Sequence, residues 1–272
     1  MIKQSRFSII VVCLNAGDKL TETVNSILQQ TYTDYEIVVK DGFSKDGSVE
    51  KLPVDERIRI YREKDTGIYE AMNQAVDKAT GQYLLFLNCG DLFHDKTVLE
   101  QVNQCILADE KENGDAHALI YYGNTYTVLT DTVVASNPHM DAFACYRNVP
   151  CHQTCFYALS LMQTRAYLPE YRVRADYEHF LWSFFQGEAK PKYMDVIVAD
   201  YEGGGFSETK ENIERSKKEH TEIVHKYMTN GQILKYKLIL WITLAPLRSK
   251  IAQSEKWSGA YNKVKDKLYR RK

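Results

Sequence analysis

The chain has 272 residues, of which 44% are hydrophobic and 26% are charged, and its formal net charge is −1. This composition excludes a disordered chain and allows one large domain or a domain with an appendage. The apolar run in residues 1–12 is too short for a secretory signal, and the six cysteines form no framework of close pairs, so we expect a reduced, cytoplasmic protein.

Short apolar segments alternate with amphipathic ones over the first 106 residues. Strands are predicted at 7–12, 35–39, 57–61 and 82–87. Helices are predicted around Leu20 to Leu28, from Ile68 to Ala79 with Gly81 as the C-cap residue, and from Val98 to Ile106 with Asp95 as the N-cap. Strands that alternate with helices in this way predict right-handed crossovers and a largely parallel sheet.

Polar residues follow each of these four strands, namely Asn15, Asp41, Asp65, Asn88 and Asp91. In a parallel sheet they would lie on the edge at which ligands bind. Asp and Asn are common in turns, and that explanation suffices for any one of them. Three acids on one edge repel each other unless a cation or a donor-rich ligand binds there, so Asp91 is a candidate metal ligand.

The second half of the chain is less regular. Residues 118–123 and 125–130 indicate a hairpin, and residues 155–159 and 193–201 indicate strands. A helix is predicted over 175–186, and a glycine-rich loop over 202–208. We expect an α+β half that extends the same sheet.

Two nucleotide-binding motifs are excluded. The first strand is followed by CLNAGD, which has a single glycine where dinucleotide binding needs three. Gly42 and Gly47 have the spacing of a P-loop, but Ser48 and Val49 stand where Lys and Ser or Thr are required. Asp41 in that turn could instead accept hydrogen bonds from a nucleobase or a ribose. The pair in CHQTC, residues 151–155, lacks the second ligand pair of a structural zinc site.

Six segments in chain order carry a resemblance: SIIVVCLNAGD, VVKDGFSKDGS, the run from Asp65 to Asp91, CHQTCF, ADYE and GGGFS. Together they resemble the inverting glycosyltransferases of family 2, in the bacterial O-antigen and exopolysaccharide branch, over residues 6–210. The resemblance implies the α/β GT-A fold. It implies a Rossmann-like nucleotide-sugar-binding half with a mixed, mostly parallel sheet at 1–115, an acceptor half at 116–216 and a helical extension at 217–272.

Site residues are carried over by the same resemblance. It gives Asp41 the uracil contact, Asp91 a divalent Mn²⁺ or Mg²⁺ ion that bridges the donor diphosphate, and Asp176 the role of general base. Asp176 could alternatively be only a helix N-cap. The donor side would also include Cys13, Leu14, Asn15, Asp65, Asn73 and Asn88.

Two departures from the family pattern are visible. Asn88 and Gly90 stand where the family has further carboxylates, and Leu14 stands where many relatives have an aromatic residue. His152 and Gln153 are acceptor-side candidates, although a structural histidine explains the former equally well. The GGGFS loop resembles a lid, with Lys210 beside it as a phosphate candidate, and a plain turn is the alternative.

The end of the chain is basic. Residues 217–272 contain fourteen Lys or Arg against four acids, a net charge of +10, so residues 1–216 carry −11. The apolar segment 233–247 is too short to span a bilayer. It predicts a helix on an anionic membrane surface, with a helix packed on the catalytic core as the alternative. No nucleic-acid recognition motif accompanies the charge, so no nucleic-acid partner is expected.

These features lead to one hypothesis and one alternative. The hypothesis is an inverting hexosyltransferase that moves glucose or galactose from a UDP-sugar to a lipid-linked sugar such as GlcNAc-diphospho-undecaprenol. It would work in surface polysaccharide assembly as a peripheral protein at the cytoplasmic face of the bacterial membrane. The alternative is a nucleotide-sugar-binding or scaffolding protein of the same fold without catalysis.

Overall fold

A computed structural model describes residues 5–243 of the chain. Within this range the strands β1 to β9 are Phe7–Cys13, Tyr35–Asp41, Ile58–Arg62, Tyr83–Phe86, Leu92–Phe93, Ile120–Thr127, Thr132–Val134, Cys155–Ala158 and Pro191–Tyr201. The helices α1 to α8 are Asp18–Leu28, Ile68–Val76, Val98–Asn113, Ala142–Arg147, Leu159–Thr164, Ala175–Phe185, Lys210–Tyr227 and Asn230–Ile242.

The first half forms the parallel part of a single sheet, as the sequence predicted. Strands β3, β2, β1 and β4 lie side by side in that order and run in one direction. β1 and β2 are buried along nearly their whole length, which explains their continuous apolar, β-branched sequences. Helix α2 packs on β1 and β2, and α1 packs on β1 and β5.

The second half extends the same sheet with mixed strand directions. β8 pairs antiparallel with β4, β6 antiparallel with β8, and β9 parallel with β6. The short β5 pairs antiparallel with β9, and β7 pairs antiparallel with β6. The predicted mixed, mostly parallel α/β fold is therefore confirmed.

Three local predictions were wrong. The strand β6 continues through Thr127 because it pairs with β9 as far as Tyr201, so the hairpin turns at 128–131 and returns through β7. Helix α2 ends at Val76, and Gly81 lies beyond it. Gly81 is needed because a Cβ there would lie 2.5 Å from the main chain of β1.

The third wrong prediction concerns the start of α3. Asp95 accepts hydrogen bonds from the amide and the hydroxyl of Thr97, both at 2.6 Å, and forms an Asx turn. Thr97 itself occupies the N-cap position, and the helix begins at Val98.

The chain divides into two compact units, the first ending at Ile223 and the second beginning at Val224. In the second unit, α8 begins with a capping box between Thr229 and Gln232. Within residues 5–243, no helix combines the length and the apolar character that crossing a membrane would require. The basic cluster from Arg248 to Lys272 lies outside the described residues.

Strand direction decides which residues meet at one edge of the sheet. The carboxyl ends of β1, β2, β4, β6 and β9 share an edge because these strands are parallel to one another. β8 runs the other way, so its amino end, preceded by residues 152–154, lies at the same edge. β5 is also antiparallel to β9, so the loop before β5 lies there as well.

Candidate active site

Two neighbouring cavities open at this edge of the sheet. The larger has a volume of about 870 Å³ and contains Asn88, Asp91, His152, Gln153 and Asp176 in its wall. The smaller, of about 530 Å³, is lined by Cys13, Leu14 and Asp65. Ile68, Tyr69 and Phe206 line both. The edge therefore gathers most of the sequence-predicted site residues around two connected spaces.

Asp91 is held in the wall of the larger cavity with only 5% of its surface exposed. Its Oδ1 accepts a hydrogen bond of 2.8 Å from the main-chain N–H of Glu202, the residue that follows β9. Burial raises the pKa of Asp91 above its ordinary value, and the amide of Glu202 only partly opposes that shift. An acid in this state gains from any cation that approaches it.

Asn88 lies opposite Gln153 when the antiparallel pairing of β4 with β8 is extended past the ends of both strands. Its main-chain N–H donates to Gln153 Oε1 at 2.8 Å. Its Nδ2 lies 3.3 Å from His152 Nε2. Its Oδ1 is buried and accepts no hydrogen bond from any described residue. A buried amide oxygen left in that condition is unfavourable unless a ligand reaches it.

Asp176 lies in the same cavity at the second position of α6, not at its N-cap. The N-cap residue is Arg174, so the predicted N-cap role is wrong. Oδ1 of Asp176 accepts hydrogen bonds from Tyr69 Oη at 2.9 Å and from the amide of Tyr177 at 2.8 Å. Oδ2 lies 3.2 Å from His152 Nδ1. The carboxylate is oriented by three groups and remains 23% exposed.

These contacts decide the charge state of Asp176. Burial raises the pKa of its carboxyl, but the hydrogen bond and the charge of His152, together with Tyr69, outweigh burial and leave the pKa lowered. Burial and the neighbouring Asp176 raise the pKa of Tyr69 well above its ordinary value. Tyr69 therefore acts as a neutral hydrogen-bond donor to an ionised Asp176.

The segment that leads to Asp176 is fixed from α7. The buried carboxylate of Glu219 accepts the main-chain N–H groups of Arg172, Val173 and Arg174, at 3.0, 3.0 and 2.8 Å. Three successive amides around one carboxylate leave little freedom to the backbone. The start of α6, and with it Asp176, is thereby held against α7.

The glycine-rich loop after β9 closes one side of both cavities. Gly203 and Gly204 have φ values of +91° and +70°, which favour glycine. Glu202 forms an ion pair with Lys19, and Glu208 accepts hydrogen bonds from Tyr201 Oη and the amide of Gly204, both at 2.8 Å. Phe206 is half exposed. The lid role of this loop stays a prediction.

Four of the predicted site residues, three on the donor side and the phosphate candidate Lys210, do not line either cavity. Asp41 is completely buried, where its Oδ1 accepts from Ser44 and its Oδ2 lies 3.2 Å from Arg62 Nε. The side chain of Asn15 accepts from the amide of Lys45, and that of Asn73 is bonded on both sides to the main chain of Tyr167. Lys210 is exposed at the start of α7. Their roles toward a ligand stay predictions.

Some residues of the larger cavity were given no role from the sequence alone, namely Lys19, Tyr69, Arg147, Arg174 and Glu202. Tyr69 and Arg174 lie inside or beside quoted motifs, four residues after Asp65 and two before Asp176. Their proximity to the catalytic motifs was the available signal. Arg147 and Lys19 had no local signal, because only the sheet topology brings them to the cavity.

A divalent metal, which the fold family implies, can be tested against these donors. Among residues 5–243, no group of three or more His, Cys, Asp or Glu side chains is arranged as a metal site. The cavity does offer the carboxylate of Asp91 and the unpartnered Oδ1 of Asn88. Both are hard oxygen donors, the kind that Mg²⁺ and Mn²⁺ take together with phosphate oxygens and water. The donor set fits an ion bound jointly with a diphosphate.

A sequence profile and an individual relative both point to glycosyltransferases. The sequence profile described as "Glycosyl transferase family 2" matches residues 8–151. The PGL/p-HBAD biosynthesis glycosyltransferase of Mycobacterium bovis is 36% identical over 210 residues, which cover 75% of this chain and 79% of that protein.

Solved structures resemble the chain in fold. TarS 1–349 of S. aureus in complex with UDP has a TM-score of 0.58 at 20% identity, over 73% of this chain and 60% of that one. The mannosyltransferase PcManGT of Pyrobaculum calidifontis, in complex with GDP-Man and Mn²⁺, has a TM-score of 0.53 at 15% identity, over 96% and 84%. At these identities the likeness concerns the fold alone, which is the GT-A fold.

The opposite pKa shifts of the two acids predict opposite effects of removing their charge on stability. In the metal-free protein, the raised pKa of Asp91 means that ionising this carboxyl destabilises the folded state. With respect to Asp91, the free energy of unfolding is highest below the ordinary carboxyl pKa of about 3.9 and falls as pH rises through the folded-state pKa. Asp91→Asn should therefore raise the free energy of unfolding at pH 7. The lowered pKa of Asp176 reverses the sign, so Asp176→Asn should lower it.

Urea unfolding at pH 7, 5.5 and 4 with EDTA present checks this pair, since each variant is the control for the other. The difference caused by Asp91→Asn should shrink between pH 7 and 4, whereas the difference caused by Asp176→Asn should persist at pH 4 and shrink only at lower pH. A loss of stability in Asp91→Asn equal to that in Asp176→Asn would contradict the assigned environments.

Proposed function

The chain belongs to glycosyl transferase family 2, as its motifs predicted, and it is a glycosyltransferase. From this premise we propose that it is an inverting hexosyltransferase that uses a UDP-sugar. The observation that carries the proposal is one cavity in which Asp91 and the unpartnered oxygen of Asn88 lie together with an oriented, ionised Asp176. The reaction needs a cation-binding group for the leaving diphosphate and a base for the acceptor hydroxyl.

The smaller cavity is our candidate for the nucleoside of the donor. Cys13 and Leu14 give it an apolar wall, and Asp65, whose Oδ2 forms an ion pair with buried Lys40, gives it a polar one. The TarS complex with UDP supports a uridine nucleotide. Asp41, directly behind Cys13, stays our proposal for the uracil contact. The Sγ of Cys13 lies 3.8 Å from Oδ1 of Asp41, so a small movement of Cys13 would let the nucleobase reach Asp41.

Asp176 is our proposal for the general base. Displacing a nucleoside diphosphate from the anomeric carbon leaves positive charge on the sugar, and the attacking hydroxyl then becomes acidic. Because the pKa of Asp176 is lowered, it is too weak a base to ionise a free sugar hydroxyl beforehand. The proton therefore passes to Asp176 as the new glycosidic bond forms. Because the acceptor hydroxyl attacks the anomeric carbon directly, from the side opposite the leaving diphosphate, the single displacement inverts the configuration.

We propose that Asp91 and Asn88 hold a Mn²⁺ or Mg²⁺ ion, and the Mn²⁺ in the PcManGT complex supports that choice. When bound, such an ion supplies positive charge next to the leaving diphosphate. Asp91 contributes the only carboxylate we assign to it, so affinity for the metal should be low without nucleotide.

The acceptor we propose is a lipid-linked sugar, such as GlcNAc-diphospho-undecaprenol, in the assembly of a surface polysaccharide. The donor sugar we propose is glucose or galactose. The relative from Mycobacterium bovis is named as a biosynthetic glycosyltransferase, which supports a role in the assembly of a glycan. The thin set of metal donors favours one other candidate, a protein of this fold that binds nucleotide-sugars without catalysis.

Asp176→Asn tests the enzymatic proposal. We expect kcat for transfer from UDP-glucose or UDP-galactose to fall about 10²- to 10⁴-fold, since the base is lost, while UDP binding measured by calorimetry stays unchanged. Glu214→Gln, which makes the same chemical change on the exposed face of α7, should retain full activity. UDP binding by the natural chain, without turnover on a broad acceptor panel, would favour the non-catalytic alternative.

Metal dependence is the second test. EDTA should abolish turnover, and excess Mn²⁺ should restore it. Asp91→Asn should lower kcat about 100-fold or more and should weaken Mn²⁺ binding in the presence of UDP, measured by electron paramagnetic resonance. Full activity of Asp91→Asn in EDTA would remove the metal from the proposal.

We further propose that the basic end of the chain binds an anionic membrane surface. Residues 244–272 carry nine Lys or Arg against two acids. A chain cut at 216 would lose Glu219, which holds the segment before Asp176, so the informative cut follows residue 243. Flotation with vesicles containing 30% anionic lipid should recover the full chain and not residues 1–243. Equal recovery of both forms would place membrane binding elsewhere.

A further inference from the structure

The basic side chains of the larger cavity differ in whether a carboxylate neutralises them. Lys19 is paired with Glu202, and His152 faces Asp176. Arg147 and Arg174, which line the same cavity, form no ion pair with any residue in the described range 5–243. Two uncompensated guanidinium groups in the wall of a cavity favour a bound anion.

Arg174 is held in place by neutral partners. Its Nε donates to Ser216 Oγ at 2.7 Å, and one Nη donates to Asn148 Oδ1 at 3.1 Å. Its guanidinium carbon lies 5.4 Å from the centre of the Tyr177 ring. These contacts fix the side chain and leave its charge intact. Three of its five N–H donors remain for a ligand.

Arg147 lies at the end of α4, one residue before the Asn148 that orients Arg174. Its guanidinium carbon stands 6.0 Å from the ring centre of Phe143. Arg147 and Arg174 thus both contribute to the wall of the larger cavity. A pair of separate forks suits the several oxygens of a phosphate ester better than a single carboxylate does.

The position of this pair relates it to the acceptor. Arg174 is two residues from Asp176, and Glu219 accepts the main-chain N–H of Arg174. Asp91 and Asn88, on the donor side, come from the loop between β4 and β5 instead. An anion bound by the arginines would therefore belong to the molecule whose hydroxyl faces Asp176.

We propose that Arg147 and Arg174 form a subsite for a phosphate ester carried by the acceptor sugar. The inference rests on the proposed function, since it assumes that Asp176 faces the acceptor. The subsite would make the enzyme select acceptors that carry a phosphate or diphosphate over neutral glycosides of the same sugar.

Kinetics with a matched pair of acceptors test the subsite in the full chain. The acceptors are undecyl GlcNAc-diphosphate and undecyl GlcNAc glycoside, with UDP-glucose and Mn²⁺. Arg174→Gln and Arg147→Gln should each lower kcat/KM for the diphosphate about 10- to 100-fold, mainly through KM. Activity on the neutral glycoside, the KM for UDP-glucose and hydrolysis of UDP-glucose by water should change less than about twofold.

Two further variants separate the subsite from general charge and from folding. Lys217→Gln removes a positive charge from the exposed surface of α7 next to Ser216 and should keep the preference for the diphosphate. Arg174→Lys keeps the charge and loses the fork, so it should recover part of that preference. The preference itself should weaken as salt rises.

Three results would overturn the subsite. Equal losses on both acceptors would make the arginines structural, a raised KM for UDP-glucose would assign them to the donor, and unchanged kinetics would remove them from binding. If the natural chain neither transfers nor hydrolyses the donor, the proposed function fails. Calorimetry with GlcNAc-1-phosphate and GlcNAc then still tests the subsite. The natural chain should bind GlcNAc-1-phosphate more tightly than GlcNAc, and Arg174→Gln should abolish that difference.

Discussion

A single hydrogen bond marks the place where the two halves of this protein meet. The amide of Asn88, at the end of the parallel strands, donates to the side chain of Gln153 at the start of an antiparallel strand. The β4–β8 register makes the two residues opposite neighbours. This pairing brings Asn88 of the first half next to His152. Without the reversed direction of β8, residues 152 and 153 would lie at the far edge of the sheet.

The cavity built on that pairing keeps two acids, Asp91 and Asp176, in different states. Asp91 is buried, and its hydrogen bonds only partly compensate for the lost hydration. Its ionised form is therefore unfavourable in the absence of a cation. Asp176 is oriented by Tyr69 and His152, which stabilise its ionised form. This difference agrees with the roles we propose, in which Asp91 binds a cation and Asp176 remains ionised as a base.

The donor half could be predicted from the sequence because its signals are local. Strand, loop and helix follow each other within about 30 residues, and each strand ends at the ligand edge, as with Asp65 and Asp91. The errors there concerned ends of elements, since the packing of Gly81 on β1 and the Asx turn at Asp95 depend on neighbours outside the pattern. Asp65 and Asp91 line the cavities, as the strand ends predicted. Asp41 lies behind the cavity wall, because its exposure depends on side-chain packing that the sequence pattern does not reveal.

The acceptor half resisted prediction because distant residues build it. Glu219 fixes the backbone before Asp176 from 43 positions downstream, and Arg174 is oriented by Ser216 of the same helix and by Asn148 of a third segment. Any one of these residues reads as an ordinary surface polar residue in the sequence. The same helix, α7, thus positions both the segment before Asp176, our proposed base, and the guanidinium of Arg174. A change in α7 could therefore alter the acceptor while the donor motifs stay unchanged, which is how one fold can serve many acceptors.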